Sequence, residues 1–199
     1  MKTAIITLFS ALVLSAGANA STVTTAGNAD NSNYTVLTDV SAINKIEVYG
    51  NVEVYVSDAP SDQVKVYNKY YSESAVVQNN NGVLRIASYK PEKLVVWVSA
   101  NDLRSISAYD NADIKSFGKL SKIEFNVDLH DNAEARLDLD ASTANIAVKN
   151  NSRINLDGSA DELNLSRDIE SNVKKASFTA THFQEGKPAA SAMLAEAGF

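Results

Sequence analysis

The chain has 199 residues, with 18 Lys and Arg against 24 Asp and Glu, a net charge of −6, and no cysteine. Such an acidic balance argues against nucleic acid and anionic membrane surfaces as partners, because both are held by clustered Lys and Arg. Without cysteine there are no disulfides, no thiolate metal sites and no lipidated thiol, and imidazole can come only from His130 and His182.

Taken in chain order, the first segment has the form of a secretory signal. Met1-Lys2-Thr3 is a short positive start, Ala4 to Ala16 a short apolar core, and Ala18-Asn19-Ala20 a small-x-small cleavage site. Residues 1–20 are therefore read as a signal peptide, which sends the mature protein to the periplasm, surface or exterior of a bacterium. Their apolar run is shorter than the roughly 20 residues that span a bilayer, and no later segment is long enough to do so. Residues 21–33 are rich in Ser, Thr, Asn and Gly and read as a flexible leader. The domain itself is expected over residues 34–178.

Within it, Ile46, Val48, Val52, Val54 and Val56 alternate with polar residues, and Gly50-Asn51 breaks the run where a bend needs positive φ. Asp58-Ala-Pro60-Ser-Asp62 reads as a turn and Val64-Lys-Val66 as the next strand. Val76-Val77, Asn79-Asn80-Asn81-Gly82 and Val83-Leu84-Arg85-Ile86 predict a hairpin. Leu94-Val95-Val96-Trp97-Val98 is a nearly continuous apolar run, which predicts a strand covered on both faces with Trp97 in the core.

The second half repeats itself. Ile106-Ser-Ala108-Tyr-Asp110-Asn111, Val127-Asp-Leu129-His-Asp131-Asn132 and Ile146-Ala-Val148-Lys-Asn150-Asn151 begin 21 and 19 residues apart. Each carries two apolar residues at alternate positions and then an Asp/Asn pair. A weaker copy sets Leu163 and Leu165 ahead of Arg167-Asp168. Self-similarity at this period predicts units that bury their apolar faces against their neighbours. The expected fold is all-β, a single-domain parallel β-helix (β-solenoid) winding right-handed, with the Asp/Asn pairs at its corners. Residues 179–199 form a C-terminal tail or cap, since Ala189 to Ala197 favours helix and Gly198 stops it.

These residues also carry a likeness. The run from Ile46 to Val56, the turn Asn81-Gly82 with Val83 to Ile86, the strand Leu94 to Val98 and the repeats resemble the head GIN domain family, named for auto-transporter adhesins, from roughly Val40 to Lys174. That resemblance implies an exported bacterial β-helix protein with an adhesin-like role. Family members usually turn their corners with Ser-Gly sequences, where this chain has Asp-Asn and Asn-Asn. Asn and Asp are the non-glycine residues that best tolerate the left-handed backbone such corners need.

The candidate binding residues are Asp110, Asn111, Asp131, Asn132, Asn150 and Asn151, read above all as a structural corner ladder. Stacked carboxylates and amides could also hold calcium, which makes a calcium-stabilised structural protein the third reading. The only segment like a calcium-binding loop ends at Asp157-Gly158, with Arg153 and Asn164 where ligands should stand, and no other cofactor is expected. No hydrolase triad, zinc or phosphate-loop motif occurs, so no catalytic residue is assigned. The alternative function is a carbohydrate-active enzyme, lyase- or hydrolase-like, using Asp110, Asp131, His130 and Arg153. Binding suits the expected shape better: a non-catalytic module presenting a rigid face to a polysaccharide or protein at the cell envelope. Tyr49, Tyr55, Tyr67, Tyr70, Tyr71, Tyr89 and Tyr109 are either sugar-stacking rings or cross-strand packing.

Overall fold

The computed structural model describes residues 34–37, 40–67 and 75–186. Its strands are β1 (Thr35–Leu37), β2 (Lys45–Gly50), β3 (Val52–Asp58), β4 (Gln63–Val66), β5 (Ala75–Asn80), β6 (Val83–Ser88), β7 (Leu94–Ala100), β8 (Ser105–Ala108), β9 (Asp113–Leu129), β10 (Glu134–Val148), β11 (Arg153–Arg167) and β12 (Asn172–Gly186). The period of two does what the sequence requires. In β2 and β3 the residues Ile46, Val48, Val52, Val54 and Val56 are fully buried, while Glu47, Tyr49, Glu53 and Tyr55 face outward. Removing each such aliphatic side chain from water contributes about 1.5–3 kcal/mol.

The architecture corrects the expected parallel β-helix. All twelve strands belong to one mixed sheet, curled as a half-barrel, and no helix occurs among the described residues. Along one path the order is β1-β4-β7-β3-β9-β8-β2-β6-β5, with β10, β11 and β12 following from β9. Strands β6 and β7 thus lie outside β2 and β3, and the pairs β1 with β4, β4 with β7 and β5 with β6 are antiparallel. Alternation specifies which side chains face the core but not which strand is the neighbour, so the reordered, mixed pairing of the first half left no mark in the pattern.

The repeat itself does align across neighbouring strands. Ile106 pairs with Val127, Val127 with Ile146 and Ile146 with Leu165, all in parallel register. Parallel neighbours ordinarily need a crossover of about a dozen residues. Here β10 and β11 run 15 residues each, and their own curl supplies the return, so residues 149–152 suffice between them.

The expected hairpin forms as β5 and β6, with Asn81 and Gly82 both at positive φ in its turn. Strand β7 departs from expectation: Leu94, Val96 and Val98 are buried, whereas Val95 and Trp97 point outward and are partly exposed. Trp97 is not a core residue. β12 continues to Gly186, into the segment read from sequence as tail. The signal and leader at residues 1–33 and the helix-favouring Ala189 to Gly198 lie outside the described residues.

Candidate binding surfaces on the outer face

The Asp/Asn corners form a hydrogen-bonded ladder. Asp110, Asp131 and Asn150 hold φ of 59°, 59° and 55°, the left-handed conformation that corner backbone demands. The N–H of Gly50, in the equivalent place on β2, donates to Asp110 Oδ2 at 3.0 Å. Asp110 N–H donates to Asp131 Oδ2 at 3.2 Å, Asp131 N–H to Asn150 Oδ1 at 3.2 Å, and Asn150 N–H to Asp168 Oδ2 at 2.8 Å. Each side-chain oxygen thereby satisfies a backbone donor that the sheet leaves unpaired. Asn111, Asn132 and Asn151 are exposed beside them, with Asn132 Nδ2 3.5 Å from Asn111 Oδ1.

Just before the corners, outward side chains line up from strand to strand. The rings of Tyr49 and Tyr109 stack at 4.7 Å and 5°, and Tyr109 stacks on His130 at 4.7 Å and 19°. Lys149 follows, with Nζ 3.4 Å from His130 Nε2. Asp128 binds both, at 2.9 Å to His130 Nε2 and 3.0 Å to Lys149 Nζ. Burial pushes the Asp128 carboxyl up, but the hydrogen bonds from His130 and Lys149 outweigh it and hold the group below its ordinary value. Burial, and then the Glu47 carboxylate, push the Tyr49 hydroxyl above its ordinary value.

A second row runs parallel to the first. Asn145 Nδ2 donates to Asn126 Oδ1 at 2.9 Å and Asn164 Nδ2 to Asn145 Oδ1 at 3.0 Å. Gln184 is in register with Asn164. Between the rows lie Asp128, Ala147, Ser166 and Gly186, in register across β9 to β12. Short residues between taller neighbours leave a groove of about 490 Å³ that crosses the strands, with the amide row as one wall. Sequence reasoning missed this wall, although one amide type at the repeat spacing was there to be found.

A third feature sits on the outer face of β3, β4, β7 and β9. Tyr55 stacks on Trp97 at 4.8 Å, and Phe117 and Tyr67 tilt against Trp97 at 5.0 and 6.3 Å. Phe117 is 62% exposed and Tyr67 44%. A β-bulge in β9 puts Phe117 there. The register with β10 shifts between Arg136 and Asp138, Gly118 takes φ of 82°, and Ser116 Oγ accepts the Asp138 N–H at 2.8 Å. Beside the rings, Lys115 Nζ lies 2.6 Å from Glu53 Oε1 and 3.0 Å from Asp113 Oδ2. Burial raises the Glu53 carboxyl, but hydrogen bonds from Lys115 and Tyr55 prevail and lower it.

The residues considered for catalysis have separate partners. Asp110 and Asp131 accept backbone N–H groups at the corners, His130 pairs with Asp128, and Arg153 Nη1 pairs with Glu134 Oε1 at 2.9 Å. The loop-like segment ending at Asp157-Gly158 is part of strand β11. Among the described residues no group of three or more His, Asp and Glu is placed to hold a metal ion. Tyr70 and Tyr71 lie outside the described residues, and Tyr89 stands exposed at the end of β6.

Over the described residues the chain is all-β with outward ladders of like side chains, and comparison with known proteins gives it a family. Residues 42–187 match the family described as "Putative auto-transporter adhesin, head GIN domain", and the chain belongs to that family. Among solved structures it is similar to a putative adhesin of Bacteroides fragilis, with a TM-score of 0.66, 15% identity, and coverage of 76% of this chain and 74% of that one. It is also similar to a putative adhesin of Parabacteroides merdae (TM-score 0.61, 12% identity, 78% of each chain). A third likeness is to a putative lipid binding protein of Parabacteroides distasonis (TM-score 0.55, 11% identity, 78% of each chain). At these identities the likeness is one of fold. No curated protein matches the chain.

Proposed function

We propose that the protein is an exported, non-catalytic interaction module that holds a polysaccharide at the bacterial cell envelope, in the periplasm or at the surface. The observation that carries this reading is the groove across β9 to β12, whose wall repeats one amide chemistry through Asn126, Asn145, Asn164 and Gln184. Its repeat is the strand spacing of about 4.8 Å, comparable to one sugar unit of an extended chain. A protein strand lying in it would present like-facing side chains every two residues, about 6.6 Å apart, and fall out of step. Amide oxygens and nitrogens suit hydroxyl partners, and several weak contacts in series add through avidity.

A glycan-array screen with product analysis tests the reading. Retention without cleavage is expected, and Ala147→Tyr, which fills the groove floor, should weaken it while leaving the unfolding midpoint in place. New reducing or unsaturated ends would instead establish the carbohydrate-active enzyme, and retention of folded proteins but no glycan would establish a protein partner. Chelating calcium should leave the thermal midpoint unchanged, because a ligand bound only by the folded state would raise it. A lowered midpoint would establish the calcium-stabilised reading.

A further inference from the structure

We infer that the aromatic cluster around Trp97 is a second glycan site, a stacking platform for equatorially substituted pyranose rings. It shares the polysaccharide reading above but uses a different surface. Cross-strand packing accounts for Tyr55 on Trp97 but not for Phe117, which stands 62% exposed against them. Tyr55, Trp97, Tyr67 and Phe117 all stand outside the aliphatic core, and Phe117 is turned outward by a bulge whose unpaired backbone donor Ser116 has to satisfy. Bulges are devices that re-aim a side chain. Here the re-aimed group is a phenyl ring laid against the chain's only tryptophan.

The occupant follows from size and chemistry. Aromatic side chains carry about 150–250 Å² each. The exposed fractions of Tyr67 and Phe117, 44% and 62%, therefore leave about 200 Å² of open ring surface. A stable protein interface needs about 800 Å² on each partner, and the surround here is charged rather than apolar: Lys65, Lys93, Lys115, Glu53 and Asp113. Rings framed by such groups suit a sugar, whose axial C–H face lies on the aromatic plane while its equatorial hydroxyls reach outward to lysine and carboxylate. Tyr67 also borders a concavity of about 430 Å³ lined by Lys90, Pro91, Glu92 and Lys93, which gives the chain beyond the platform somewhere to lie.

Trp97 is its own reporter, being the sole tryptophan. Titration of the full mature chain with cellohexaose, xylohexaose and chitohexaose, followed by tryptophan emission, should give a saturable shift with at least one of them. Phe117→Ala should weaken that binding about 2- to 13-fold, from the roughly 0.5–1.5 kcal/mol that one aromatic stacking partner supplies. Tyr67→Ala should do the same. Both positions are exposed enough to leave folding intact, which circular dichroism verifies. The groove variant Ala147→Tyr should leave the emission shift unchanged, so failure of the groove reading and failure of this one are separable. No emission change with any of the three oligosaccharides would overturn the inference, as would an equal response in the Phe117→Ala, Tyr67→Ala double variant. A concentration-dependent dimer lost on Phe117→Ser would overturn it too, by placing a second copy of the chain on the patch.

Discussion

The two halves of the sheet use one alphabet in two ways. From β9 onward each long strand lies beside the strand that precedes it in sequence, joined by a tight corner that is Asp131-Asn132 after β9, Asn150-Asn151 after β10 and Ile169-Glu170 after β11. Before it, β6 and β7 lie outside β2 and β3, and β1, β4 and β5 are added antiparallel. The corner residue differs accordingly. Gly50 turns the chain at φ of 81° where an added Cβ would meet the Ser88 carbonyl oxygen at 2.2 Å, whereas the later corners carry Asp or Asn and use the side chain to bind the preceding corner. A corner crowded by a neighbouring backbone must be glycine; an open one can use its side chain for hydrogen bonding.

The sharpest blow to the sequential half is Phe125→Ala, which empties a fully buried site in β9 and should cost about 3–5 kcal/mol in chemical unfolding. A loss near 1 kcal/mol would mean that the curled interior is loosely filled. Gly50→Ala tests the corner contrast directly. Left-handed strain costs about 1–2 kcal/mol, and the clash with Ser88 adds to it, so at least about 2 kcal/mol should be lost. Asp131→Ala should cost about 1–2 kcal/mol through the lost acceptor and the strained alanine, with Asp131→Asn close to neutral because its Oδ1 can still accept. If Gly50→Ala and Asp131→Ala prove equal, the contrast between crowded and open corners falls.

Acid should act on both halves. Glu47, Glu53 and Asp128 all have carboxyls held below their ordinary values, Glu47 chiefly by its hydrogen bond from Lys45. Groups lowered in the folded state stabilise it fully above the unfolded value, about 4, and lose that contribution as pH falls through the folded value. The thermal midpoint should therefore hold from pH 7 to about 5 and drop below about 4. Asp128→Asn should flatten part of that drop. Smallest of all, Ile123→Lys on an exposed face should change stability by less than about 0.5 kcal/mol.

Which of these features could be read from the residues alone follows from what alternation encodes. The inward set from Ile46 to Leu165, the hairpin at Asn81-Gly82 and the positive φ at the Asp/Asn corners were all legible, because each is a property of neighbouring residues. Partner choice was not, since β7 beside β3 and β4 beside β7 depend on the whole sheet. Trp97 misled because Leu94 to Val98 is apolar throughout, and its outward neighbours Tyr55, Tyr67 and Phe117 come from three distant segments. Phe117 did leave a trace: Ser116 stands where the other repeats have leucine, and Gly118 follows it.

The parallel registry of β10 on β11 gives the groove an adjustable length. A tandem duplication of residues 134–152 would lay down one more strand and corner between existing ones, carrying another copy of Asn145 and Ala147 into the same wall and floor. Each such event would extend the recognition track by one inter-strand step of about 4.8 Å, so that reach along a polymer can grow by copying rather than by redesign.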